Sequence, residues 1–110
     1  MPNPRAQGTS FAAAFTGGHF LHLAVAVCVL NDLYREAERM GVPLDSVSAT
    51  AEGGFGGDPV VSTGITYSVS VVSPADESEV QRLIGHVDEI AEIPNTLRKS
   101  TVVARLTQAG

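Results

Sequence analysis

Apolar and polar residues alternate along the chain in a pattern that changes period several times, and each change marks an element. From about Gly18 to Met40 the period is helical. The first half of this stretch, Phe20–Leu30, is apolar on nearly every side and is expected to be buried. The second half turns amphipathic: Leu30, Leu33 and Tyr34 are predicted to face inward, and Asp32, Arg35, Glu36 and Arg39 to face water and pair at helical spacing. Gly41 followed by Pro43 is a stop signal. Val47–Ala51 then alternates at period two, as a strand does, and Gly53-Gly54-Phe55-Gly56-Gly57-Asp58-Pro59 reads as a flexible connection. Val60–Val72 carries the clearest strand pattern, with Ile65, Tyr67, Val69 and Val71 on one face and Thr66, Ser68 and Ser70 on the other. Residues 47–52 and 62–72 are therefore expected to form an antiparallel hairpin.

Ser73-Pro74-Ala75-Asp76 has the composition of a helix start, an N-cap serine with proline at the first helical position. Val80, Leu83, Ile84, Val87 and Ile90 give that helix one apolar stripe to lay on a face of the sheet, and Pro94 is expected to end it. Ser100–Leu106 reads as a last strand. The order helix–strand–strand–helix–strand predicts an α+β fold in which a long buried central helix and a second helix pack on an antiparallel sheet. Residues 1–17 read as an extended lead-in with a short ordered stretch at Ser10–Phe15, and 18–110 as a single domain.

Composition narrows the function. Twelve acidic and 7 basic side chains leave a net charge of −5. The basic residues are scattered without a stripe, which argues against a nucleic-acid partner and gives no handle on an anionic membrane. The Phe20–Leu30 run falls well short of the roughly 20 residues needed to span a bilayer. Arg5 is followed by small polar residues rather than the apolar core of a signal peptide, so a cytoplasmic location is the default. A single cysteine, without pairs, fits a reducing compartment.

That residue, Cys28, lies within the apolar helix. It is either a small buried hydrophobe or a nucleophilic thiol, and the latter needs a cation close by, which no side chain within one helical turn supplies. His19 and His22, three apart, share a helix face and are candidates for acid–base chemistry. Two histidines do not complete a metal site, and no cofactor motif is present: the Gly53–Gly57 run lacks the ending and the strand-to-helix setting of a phosphate loop. Glu36, Glu38 and Arg39, and on the second helix His86, Glu89 and Glu92, read as solvated faces.

The run Leu21-His22-Leu23-Ala24-Val25-Ala26-Val27-Cys28, the exit Ala37-Glu38-Arg39-Met40-Gly41-Val42-Pro43-Leu44 and the segment Asn95-Thr96-Leu97-Arg98-Lys99 together resemble the OsmC/Ohr family of thiol-dependent hydroperoxide reductases. The resemblance covers residues 17–107. It implies an intertwined homodimer with sites at the interface, and a helix cysteine, here Cys28, that attacks an organic hydroperoxide and becomes a sulfenic acid. It further implies a resolving cysteine, whose position falls at Ala91, and an activating glutamate, whose position falls at Gly18 or His19. An activating arginine is implied on strands ahead of the helix; about 17 residues precede the helix here, and Arg5 carries over onto no such position. A dimer also follows from the helix itself, whose all-round apolar half calls for more cover than one hairpin and one short helix provide. Two functional readings result. One is a one-cysteine hydroperoxide reductase, with Cys28 as nucleophile and an external thiol reductant. The other is a divergent member without redox activity, which binds a small apolar ligand at the interface pocket or acts there as an acid–base, biosynthetic enzyme through His19 or His22.

Overall fold

The computed structural model of the chain describes residues 16–107. Helix α1 (Gly17–Met40) is followed by strands β1 (Ser46–Gly56) and β2 (Val61–Val72), helices α2 (Glu77–Ile90) and α3 (Glu92–Leu97), and strand β3 (Val103–Arg105). Of the expected lead-in only Thr16 and Gly17 are described, as the N-cap and first residue of α1; Ser10–Phe15 and Arg5 lie outside the described residues.

The architecture is α+β. β1 and β2 form the expected antiparallel hairpin, with Val47 opposite Val71 and Ala51 opposite Tyr67. β3 adds to the free edge of β2 in parallel, with Ile65 opposite Val103. The antiparallel expectation therefore holds for the hairpin and gives way at β3. The chain returns to β2 through α2 and α3, and such a crossover brings a strand back in its original direction. The core gathers on one face of this sheet. Val25, Val29, Leu33 and Ala37 of α1 meet Val80, Leu83, Ile84 and Val87 of α2, with Ile65, Tyr67 and Val103 beneath them. α1 ends as its sequence dictates: Gly41 takes the left-handed conformation at φ 71°, and the Val42 N–H returns to the Ala37 carbonyl at 2.9 Å.

Several expectations are corrected. The glycine run is mostly strand, because β1 continues to Gly56 and only residues 57–60 form the turn. Glycine is needed at position 53 for contact rather than for mobility. A Cβ there would lie 2.5 Å from the Gly64 carbonyl oxygen and 2.8 Å from His22 Nε2. The pairing slips by one register step between Gly54 and Phe55, beside Gly64 at φ 129°, and this bulge reshapes the end of the hairpin. α2 starts at Glu77, after the N-cap Asp76. Ser73 instead builds the preceding turn, accepting from the Ala75 N–H at 3.0 Å and donating to the Pro43 carbonyl. Pro94 does not end a helix. The break is at Ala91, and Pro94 sits in the first turn of α3, where its missing N–H has no intrahelical partner to lose.

Burial along α1 also differs from the pattern. Asp32 and Glu36, expected to face water, are each 4 % exposed, whereas Tyr34, expected to face inward, is 51 % exposed. The cause is tertiary: partners on α2 and neighbouring arginines take up the two acids, as described below. In the upper half, Leu23 and Val27 are 46 % and 53 % exposed in the single chain, and Phe20 is likewise exposed.

Candidate functional site

The three candidate residues on α1 do not converge. Nine residues separate His19 from Cys28, which is about 13 Å of rise and about 180° of rotation; His22 and Cys28 are about 120° apart around the axis.

His19 is part of the helix start. The Thr16 side chain accepts from the His19 backbone N–H at 3.3 Å, and the Thr16 N–H donates to His19 Nδ1 at 3.1 Å. This is a reciprocal capping box in which a histidine stands where glutamate or glutamine is usual. The signal, Thr16 with a ring acceptor three residues on, is present in the sequence.

His22 faces β1 and is 8 % exposed. Its ring stacks on Phe55, with centroids 5.8 Å apart and planes inclined at 23°. Both rings are admitted by absent side chains. Gly53 leaves room for His22, and at Gly18 a Cβ would sit 2.6 Å from Phe55 Cε2. The buried His22 Nε2 has no hydrogen-bond partner. An unmade bond of this kind costs about 1–3 kcal/mol, so it calls for an explanation. Next to it, between the upper half of α1 and β1, runs a cleft of about 560 Å³ whose walls include His22, Leu23, Ala26, Ala49, Gly53 and Phe55. Phe55 and Gly53 escaped the sequence reading. Their signal was the series Ala49, Ala51, Gly53, Phe55, which carries the period-two face straight through the supposed loop.

Cys28 lies on the other flank of α1, half-buried against the core. Its Sγ is 4.0 Å from Asp32 Oδ2. A cation beside the sulfur favours thiolate chemistry; the polar group beside this one is a carboxylate. Asp32 is in turn paired with Arg35 at 3.1 Å. Ala91, at the position where the family resemblance puts a resolving thiol, is fully buried in the core.

The acids of the lower half of α1 form a network. Glu36 accepts from Arg35 Nε at 3.0 Å and Arg39 Nη1 at 3.1 Å, and its Oε1 is 2.9 Å from Nε2 of His86 on α2. The hydrogen bonds from Arg35 and then His86 outweigh the effect of burial and hold its carboxyl down to about 2. The reading of Glu36 as solvated is thus corrected; His86 keeps part of its surface in water, and the pair clamps α1 to α2. A second knot ties α2 to the sheet. The Tyr67 hydroxyl donates to Asp88 Oδ1, and Arg98 donates to the same oxygen at 2.9 Å and to the Asp88 and Val103 carbonyls at 3.0 Å each. Burial, and then the bond to Asp88, push the Tyr67 hydroxyl well above the usual phenol range. Arg98, conspicuous in the Thr96-Leu97-Arg98 segment, is here a structural residue.

Among the described residues no group of three or more His, Cys, Asp or Glu side chains is placed to hold a metal ion. No helix among them is long and apolar enough to cross a membrane.

A hairpin cradling one long helix, with a crossover strand on its edge and a lone cysteine in that helix, defines the class: an α+β fold built around a central cysteine-bearing helix. The profile of the family described as OsmC-like protein matches residues 8–105, and the chain belongs to that family. Solved structures share its fold. An OsmC-like protein from Mycoplasma pneumoniae superposes with a TM-score of 0.71 at 19 % identity, over 84 % of this chain and 73 % of that one. The organic hydroperoxide resistance protein OhrB of Bacillus subtilis gives 0.70 at 18 %, over 98 % and 78 %. The organic hydroperoxide resistance protein OsmC from Legionella pneumophila gives 0.68 at 15 %, over 83 % and 69 %. Identities this low speak for the fold alone. No curated protein matches the chain in sequence.

Proposed function

We propose that this OsmC-family protein binds a small, largely apolar molecule in the cleft between α1 and β1, with His22 as its polar contact. The observation that carries the reading is the buried His22 Nε2, left without a partner in the wall of an otherwise mostly apolar cleft. Pockets of this size with one placed polar group are the usual form of a small-molecule site. Proton transfer to or from the bound molecule by His22 is the enzymatic form of the same reading. The surroundings of Cys28 point the same way, because among the described residues the polar group at its sulfur is the Asp32 carboxylate, and the position matching a resolving thiol is Ala91. The test follows the His22 imidazole nitrogens by NMR while 2-naphthol or 2-decalol is added. A saturable shift of the His22 signals with either probe supports the reading; no shift with either overturns it.

We propose further that the protein is a homodimer. Leu23, Val27, Leu30 and Tyr34 recur at alternating four- and three-residue spacing on one side of α1, the pattern with which two helices interlock. Three of them are about half exposed in the single chain.

A second reading, a one-cysteine organic hydroperoxide reductase recharged by an external thiol, is favoured by the partial exposure of Cys28 at the position matching the family's peroxidatic thiol. It requires Cys28→Ser to abolish thiol-dependent consumption of cumene hydroperoxide. Equal consumption by that variant and the parent would remove it.

A further inference from the structure

The walls of the cleft carry more information than its size. We infer that its ligand is a flat aromatic molecule bearing a hydrogen-bonding group for His22; this rests on the cleft being a binding site. Two observations lead there. First, one wall is built of rings: His22 and Phe55 stack with planes 23° apart, and Phe55 remains 47 % exposed, leaving ring surface for a third ring. Offset stacking of this kind rewards a flat partner over a puckered one of equal area. Second, beside the rings the lining includes the small residues Ala26, Ala49, Ala51 and Gly53, which leave room against the exposed face of Phe55, together with the apolar side chain of Leu23. His22 Nε2 offers one further bond, as donor or acceptor according to its tautomer, which a ring hydroxyl, amine or amide can satisfy either way.

The inference is tested on the full chain with matched probes, again read at the His22 imidazole nitrogens and by calorimetry. 2-Naphthol and 2-decalol differ in flatness. The expected result is at least tenfold tighter binding of 2-naphthol than of 2-decalol. Phe55→Leu, which keeps an apolar group at an exposed position but removes the ring, should reduce this ratio to about one while 2-decalol binds as before. Equal binding of 2-naphthol and 2-decalol by the parent overturns the aromatic inference and leaves the apolar cleft standing. Failure of both 2-naphthol and 2-decalol to bind removes the binding reading on which the inference rests.

Discussion

At the scale of single residues, side chains that look alike in the sequence do different work. His19 and His22 share a helix face, yet one closes the helix start and the other stands unpartnered in a cleft wall. Glu36 and Glu38 are two residues apart, yet Glu36 is buried among three cationic or hydrogen-bonding partners. Because the folded protein holds Glu36 near 2, below its ordinary 4.5, ionised Glu36 stabilises the fold fully above the ordinary value. That stabilisation is lost as pH falls from 4.5 toward 2. Glu36→Gln is therefore expected to lower the melting temperature at neutral pH and to flatten the acid limb of a stability–pH profile measured by thermal melts. An unchanged acid limb would show that the clamp contributes nothing. At Gly53, an added methyl meets the Gly64 carbonyl at 2.5 Å and His22 at 2.8 Å. Gly53→Ala should cost about 1–3 kcal/mol in denaturant unfolding, typical of overpacking, whereas alanine in a mobile loop would be nearly neutral.

At the scale of elements, much was legible before the structure. The long helix, its Gly41 stop, the hairpin register face and the apolar stripe of α2 all follow from local periodicity and cap chemistry, which act within a few residues. What escaped was set by contacts distant in sequence. Glycines 53 and 54 read as a loop because glycine is a poor strand former; the reason for glycine at 53 is the Gly64 carbonyl on the neighbouring strand and the His22 ring on α1. The inward turn of Glu36 depends on His86, fifty residues away. The Cys28 match placed the residue correctly on the central helix, but the acid beside its sulfur and its separation from His22 emerge only with the rotation of α1. The Arg98 knot spans only five residues to Val103 and ten to Asp88, but it forms where three elements meet, joining α2, α3 and β3 through hydrogen bonds in a fixed fork. Arg98→Lys keeps the charge but not the fork, and is expected to lower stability by about 1–3 kcal/mol in urea titrations. Loss of the same size in Asp88→Asn, without additivity in the double variant, would confirm that the two act as one unit.

At the scale of the whole molecule, two surfaces of α1 adjoin. One side of the helix meets β1 at the cleft; the adjoining side carries the Leu23, Val27, Leu30 and Tyr34 seam, and Leu23 belongs to both. A second copy seated on that seam would cover the apolar positions and border the cleft. Val27→Glu is expected to convert a dimer to a monomer in analytical ultracentrifugation, because it places a charge in the middle of the seam; a monomeric parent would refute the dimer. The central claim is that binding resides at His22 and not at Cys28. Its most direct test is one calorimetric titration of 2-naphthol into the parent protein, Cys28→Ser and His22→Ala, each shown folded by circular dichroism. Cys28→Ser is expected to bind like the parent, and His22→Ala at least tenfold more weakly. Unchanged binding by His22→Ala, or loss of binding in Cys28→Ser, would contradict the claim.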